Sequence, residues 1–202
     1  MVDSNPKKKF FAKIVLLGDL GVGKTTLINK FTTGEANNNT TVGGGFKTKN
    51  ITVNNTEMGM QIWDTAGQEK FNSLGFAFYR GSNCCVLAFD VCNQASFDRL
   101  SFWKSNFISE ASPTNPNLFP FVVVGNKTDG ARTVSRESAE EWCRNNGGYQ
   151  YFETCANTGE GVETMFTHTG TKALEHSKTS SNDDDFMPSS LSGAQGAIKI
   201  DR

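Results

Sequence analysis

The segment Gly18-Asp19-Leu20-Gly21-Val22-Gly23-Lys24-Thr25 constrains this chain more than any other stretch. Its glycines let the backbone turn where a Cβ would obstruct it. Before it stands Lys9 to Leu17, whose near-continuous apolar end is the pattern of a strand buried on both faces. After it comes a predicted helix from Lys24 to about Thr33. The spacing GxxxxGK[ST] between a strand and a helix aims successive N–H groups at an anion beside a positive helix N-terminus. In that geometry Lys24 reaches the β- and γ-phosphates of a nucleotide and the Thr25 hydroxyl holds Mg²⁺. Leu20, Gly21, Val22, Gly23 and Thr26 complete the expected phosphate cradle. A functionless Gly-rich turn is the competing explanation. With Gly near ~7% usage, a chance match in such a chain is roughly a one-in-a-hundred event, and the flanks make it rarer.

Strand and helix signals alternate along the rest of the chain. Phe46 to Val53 and Met58 to Trp63 read as a hairpin turning at Asn54-Asn55. Cys84 to Val91 and Phe119 to Val124 are further buried-strand runs, and Tyr149 to Thr154 is a short sixth. Helices are predicted over Gln94 to Ala111, Ser135 to Asn145 and Gly161 to about His176, with Ser135 as an N-cap. The polar, Asn-rich Gly34 to Gly45 is expected to be a flexible loop. This alternation specifies an α/β fold: a mostly parallel six-stranded sheet flanked by about five helices. Ligands of such sheets sit beyond the carboxyl ends of the strands.

A chain of 202 residues holds about one domain and a remainder. The expected division is a flexible N-terminus over 1–8, one domain over 9–177, and a disordered tail over 178–202 that is rich in Ser, Gly and Asp. Lys plus Arg is 20 against 21 Asp plus Glu, a net charge of −1 that argues against nucleic-acid binding. No run approaches the ~20 apolar residues of a membrane span. Five cysteines without CxxC spacing suit a reduced, cytoplasmic compartment better than a disulfide or zinc framework. His168 and His176 share a predicted helix without clustered ligands, so no metal role is assigned to them.

Two further strings fall at strand ends. In Asp64-Thr65-Ala66-Gly67-Gln68, a strand-terminal carboxylate can serve the Mg²⁺ shell, and Gly67 can offer its N–H to the γ-phosphate without a Cβ in the way. In Asn126-Lys127-Thr128-Asp129, the Asp129 carboxylate can accept two N–H bonds from a guanine edge, whereas adenine presents the wrong donors. Each string alone is an ordinary turn. Their order and placement make the set specific.

With these strings in hand, the chain resembles a Ras-superfamily small GTPase of the Rab family over about Lys9 to Ser177. The Rab-like text is Trp63-Asp-Thr-Ala-Gly-Gln-Glu-Lys-Phe71 and Phe78-Tyr-Arg-Gly81. Ser73-Leu-Gly, Cys84-Cys85-Val-Leu, Phe119-Pro-Phe-Val-Val and Tyr151-Phe-Glu-Thr154 are most similar to the late-endosome and lysosome subfamily (Rab seven). The resemblance implies a P-loop GTPase fold and a switch whose loops are ordered by the γ-phosphate and Mg²⁺ and released on hydrolysis. It further implies that Thr41 binds Mg²⁺ and the γ-phosphate, and that Gln68 orients the attacking water while Lys24 neutralises charge. Asn38 occupies a nucleotide-side position of the same loop. Phe46, Trp63 and Phe78 match an aromatic triad presented to effectors, although aromatics also simply pack. The implied partners are effectors, an exchange factor, a GTPase-activating protein and a GDP-dissociation inhibitor or escort protein.

Departures from the family pattern generate their own expectations. Leu20 stands where many members carry Ser and would crowd Gln68, which raises an alternative: a slowly or non-hydrolysing GTP-binding platform. Its opposite is a Leu20 that points harmlessly outward. Asn38 and the run Gly43-Gly44-Gly45 predict a loose loop in the GDP form. Thr154-Cys155-Ala156-Asn157 keeps an Ala156 N–H for the guanine carbonyl, but Asn157 lacks a long stem to lay over the base, so weaker nucleotide retention is expected. Cys155 is expected to be buried and inert. No cysteine follows Cys155, so the prenyl anchor usual in Rabs is not written in this chain. Either its last residues are trimmed or the protein stays soluble. On the first reading it is peripheral on endosomal, lysosomal or phagosomal membranes.

Overall fold

The apolar run before the glycine-rich segment forms β1, Phe10–Leu17, whose last four residues are fully buried. A computed structural model describes residues 10–36, 45–65 and 78–184. Helix α1, Lys24–Thr33, leaves the glycine-rich turn and stops at Gly34, whose left-handed φ of 81° caps the helix. Strands β2, Gly45–Val53, and β3, Thr56–Asp64, form the predicted antiparallel hairpin. Asn54 and Asn55 adopt φ of 49° and 59°, the two positive values a tight type I′ turn requires and Asn tolerates.

Next come β4, Cys84–Asp90, and two helices, α2, Gln94–Asp98, and α3, Leu100–Ala111. A single helix was expected over this stretch. Arg99 interrupts it with ψ near zero (−2°), and its N–H bonds Phe97 O. The break is anchored by Ser96, whose Oγ accepts from the Asp90 N–H and donates to Asn93 O at 2.8 Å, pinning α2 to the end of β4. Then follow β5, Phe121–Asn126; α4, Arg136–Asn145; β6, Gln150–Thr154; and α5, Val162–Asp184. The Ser135 hydroxyl accepts the Ser138 N–H, as an N-cap should.

The six strands form one sheet in the order β2-β3-β1-β4-β5-β6, parallel except for the β2–β3 pair. One face packs Leu27, Ile28 and Phe31 of α1 and Met165, Phe166 and Leu174 of α5 against Ile14, Met60 and Val86. The other packs Leu100, Trp103 and Phe107 of α3 and Cys143 of α4 against Val15, Leu87 and Val123. Gly170 lets α5 approach β2 closely, since a Cβ there would lie 2.6 Å from Ile51 Cδ1.

Helix α5 outlasts its expected end near His176. No Gly or Pro occurs between Thr171 and Met187 to stop it. Side-chain hydroxyls of Ser177 and Thr179 fold back onto the carbonyls of Leu174 and His176, each at 2.8 Å. The helix therefore crosses the boundary drawn after 177. Residues 1–8 and the tail beyond Asp184 lie outside the described residues.

Candidate nucleotide site

At the carboxyl end of β1 the backbone turns through Gly18, Gly21 and Gly23, with φ of 146°, 81° and 100°. Gly18 lies so close to β4 that a Cβ would collide with the Ala88 carbonyl, and one on Gly23 would collide with the Asn126 amide. Only glycine satisfies both the conformation and the space. Helix α1 starts directly after, so the N–H groups of Lys24, Thr25 and Thr26 form its first turn. Val22 is buried in the core, anchoring the loop from beneath.

Lys24 is almost wholly buried, and its ammonium donates to the Gly18 carbonyl and, at 2.9 Å, to the Asp19 carbonyl. Thr25 Oγ1 donates to Asp64 Oδ2 at 2.6 Å, joining the first turn of α1 to the end of β3. Thr65, the next residue, anchors that end through a 2.6 Å bond to Leu16 O. A hydroxyl and a carboxylate sharing one spot are oxygen donors of the kind a hard divalent cation takes.

The second half of the site hangs from β5 and β6. Asn126 is 1% exposed, and both polar atoms of its side chain are bonded. Nδ2 donates to Val22 O at 2.9 Å, while Oδ1 accepts from Thr154 Oγ1 and the Ala156 N–H, both at 3.1 Å. The Ala156 N–H, expected to meet a guanine carbonyl, is thus engaged by Asn126, because a buried amide oxygen needs its donors. Lys127 takes a left-handed φ of 67° and pairs with Asp90 at 2.7 Å. Asp129 accepts from Asn157 Nδ2 at 3.3 Å, and this bond first, with local backbone donors, holds its carboxyl below the ordinary carboxylate value. Cys155 is buried as expected.

Leu20 is 70% exposed, so the backbone carries it outward, the outcome that disfavours the slow-platform alternative. The aromatic triad is contiguous: Phe46 and Trp63 are register partners 5.0 Å apart, and Trp63 meets Phe78 edge-on at 5.5 Å. Phe46 stands half exposed, while Trp63 and Phe78 also pack against the core. Gly45 opens β2, whereas Asn38, Thr41, Gly67 and Gln68 lie outside the described residues.

Sequence reasoning missed three participants. Asp90 receives Lys127 and the Cys92 N–H, Thr154 holds the Asn126 oxygen, and Asp19 is gripped from α3. Asp90 and Thr154 each end a strand at the ligand-bearing edge, a positional signal the sequence did contain.

A family model described as "Ras family" matches residues 13–175. The chain belongs to the Ras family. Among its relatives, a "GTP-binding protein YPTC5" of Chlamydomonas reinhardtii is 46% identical over 191 residues, covering 92% of this chain and 91% of its own length. A "Ypt/Rab-type GTPase ypt7" of Pyricularia oryzae is 44% identical, covering 90% and 91%. A "Ras-related protein Rab7" of Drosophila melanogaster is also 44% identical, covering 94% and 93%. This Rab-type Ras-family chain is a GTPase, a switch that alternates between GTP- and GDP-bound states by hydrolysis. Ras-family GTPases generally use Mg²⁺ with their nucleotide.

Proposed function

We propose that this GTPase runs its cycle at the carboxyl ends of β1, β3, β5 and β6 and serves vesicle traffic to late endosomes, lysosomes or phagosomes. The observation that carries the site assignment is the Asn126 side chain, which ties the phosphate loop at Val22 to the base loop at Ala156. One buried amide makes both halves a single receptor, so base recognition and phosphate grip are coupled.

In this reading Asp129 selects guanine, with Lys127, Cys155, Ala156 and Asn157 forming the wall of the base site. The Gly21 to Thr26 backbone cradles the phosphates, and Lys24 brings its charge to the β- and γ-phosphates. Thr25, Asp64 and Thr41 would hold Mg²⁺, which when bound neutralises phosphate charge. Gln68 orients the attacking water, and the Gly67 N–H contacts the γ-phosphate. Intrinsic hydrolysis is slow and calls for an activating protein. Phe46, Trp63 and Phe78 face effectors, while an exchange factor and a GDP-dissociation inhibitor or escort protein act on the GDP form. The switch unit spans 9–177, with the last turns of α5 leading into the tail. Attachment to these membranes would be peripheral, through prenylated cysteines where the native C-terminus carries them; no helix among the described residues is long and apolar enough to cross a bilayer.

Nucleotide extracted from the purified protein should be GDP or GTP, and bound adenine nucleotide would sink the assignment. Asp129→Asn should weaken guanine binding and shift preference toward xanthine, whose C2 carbonyl suits the amide N–H.

A further inference from the structure

Asp19 is one of the four loop residues that the phosphate-binding pattern leaves unspecified, yet it is gripped from outside the loop. Its Oδ1 accepts the indole N–H of Trp103 at 2.7 Å and lies 3.2 Å from Arg99 Nε. Arg99 sits at the break between α2 and α3, stacked over the Phe102 and Trp103 rings at 4.8 and 5.5 Å. Trp103 is 5% exposed and packed in the core, so the donor it offers is rigid. The carbonyl of Asp19 in turn seats the Lys24 ammonium at 2.9 Å. We propose that Asp19, clamped by Trp103 and Arg99, is a positioning residue that presets Lys24 for the β-phosphate and couples the α2–α3 corner to nucleotide retention.

Two physical consequences make the clamp more than a surface contact. A loop of glycines has little intrinsic rigidity, so the carbonyls that aim Lys24 need an external tether. A carboxylate beside a phosphate site also repels its ligand unless a cation holds and neutralises it. Arg99 neutralises the Asp19 carboxylate and, together with the indole, holds it to the α3 side. Arg99 and Trp103 stand four residues apart, with the Trp103 N–H on the Arg99 carbonyl at 3.1 Å, so the start of α3 presents guanidinium and indole on one face to the same oxygen.

The clamp rests on the reading that this loop holds phosphates, and the test separates the two ideas. Release of fluorescent GDP and competition by GDP and GMP are measured on the Mg²⁺-loaded protein and on Trp103→Phe, Arg99→Gln, Asp19→Ala and Asp19→Asn. Trp103→Phe keeps the ring in the core, and Arg99→Gln is a surface change that folds regardless. GDP release should accelerate about three- to thirtyfold in Asp19→Ala, with smaller increases in Trp103→Phe and Arg99→Gln. Asp19→Asn, which retains the acceptor for the indole, should recover most of the loss. GMP, which lacks the β-phosphate, should bind all variants as it binds the parent. Unchanged GDP release overturns the clamp. Equal loss of GDP and GMP also overturns it, since that is general loosening of the site. A parent protein with no preference for GDP over GMP would instead remove the phosphate reading itself.

Discussion

Asn157 Nδ2 lies 3.3 Å from Asp129 Oδ2, so a residue of the loop after β6 orients a carboxylate of the loop after β5. The bond also stabilises the charged form of Asp129. On the proposed reading, in which Asp129 holds the base, Asn157 acts through that carboxylate, at a place where a longer residue would lie over the base itself.

That dual role predicts opposite effects from two substitutions. Asn157→Ala frees the Asp129 carboxylate and should speed GDP release roughly two- to fivefold, one exposed hydrogen bond's worth. Asn157→Lys gives up the same bond but adds an apolar stem, and should slow release about threefold. Dissociation of a fluorescent GDP reads both, and a Lys variant that releases GDP faster would refute the stem argument.

Gly23→Ala strikes the seam between the two halves. The φ of 100° is unfavourable for Ala, and the Cβ would collide with the Asn126 amide that bonds Val22. Nucleotide binding should fall more than tenfold, from strain of about 1–3 kcal/mol plus the displaced amide. Equilibrium titration with GDP checks this. A loss below twofold would mean that the seam adjusts without cost.

Phe166 of α5 stacks on Phe31 of α1 with centroids 4.2 Å apart, both in the core. Phe166→Ala should cost about 3–5 kcal/mol through lost burial and the cavity left behind. Urea unfolding of the GDP-bound protein would measure it. Because the pair lies beneath α1, GDP affinity should change far less than stability.

Burial lowers His168 and His176 below the ordinary imidazole value; Lys172 also lowers His168, against Glu175. His168 faces Phe152 and His176 faces Phe119, joining α5 to β6 and to the segment before β5. With the folded value below the unfolded one, the unfolded chain binds more protons as pH falls. Stability is therefore fully present above the unfolded imidazole value and declines as pH falls toward and through the folded values. Melting temperature should drop between about pH 7 and pH 5, less so in His168→Gln. A flat profile in the parent would contradict the assignment.

Much of this protein was readable from local pattern. The β1 run, the glycine-rich turn, the Asn54-Asn55 hairpin and the strand-end positions of Asp64 and Asn126 each depend on neighbours within a few residues. Backbone propensity and period-two burial act on that scale. Helix α5 runs past its expected end near His176 to Asp184, over a stretch that holds no Gly or Pro to stop it.

The tertiary structure decided what no spacing encodes. That Asn126 spends its amide on Val22 and Ala156, that Lys127 answers to Asp90, and that Asp19 is held by Trp103 are contacts between segments far apart in the chain. They arise because a parallel sheet brings every strand's carboxyl end to one edge, where buried polar groups must find partners. The sequence by itself determined a glycine-rich turn between strand and helix on an α/β sheet, with two further strings at its strand ends. Only the packed sheet made those strings one site, and only it showed which side chains hold the loop in place.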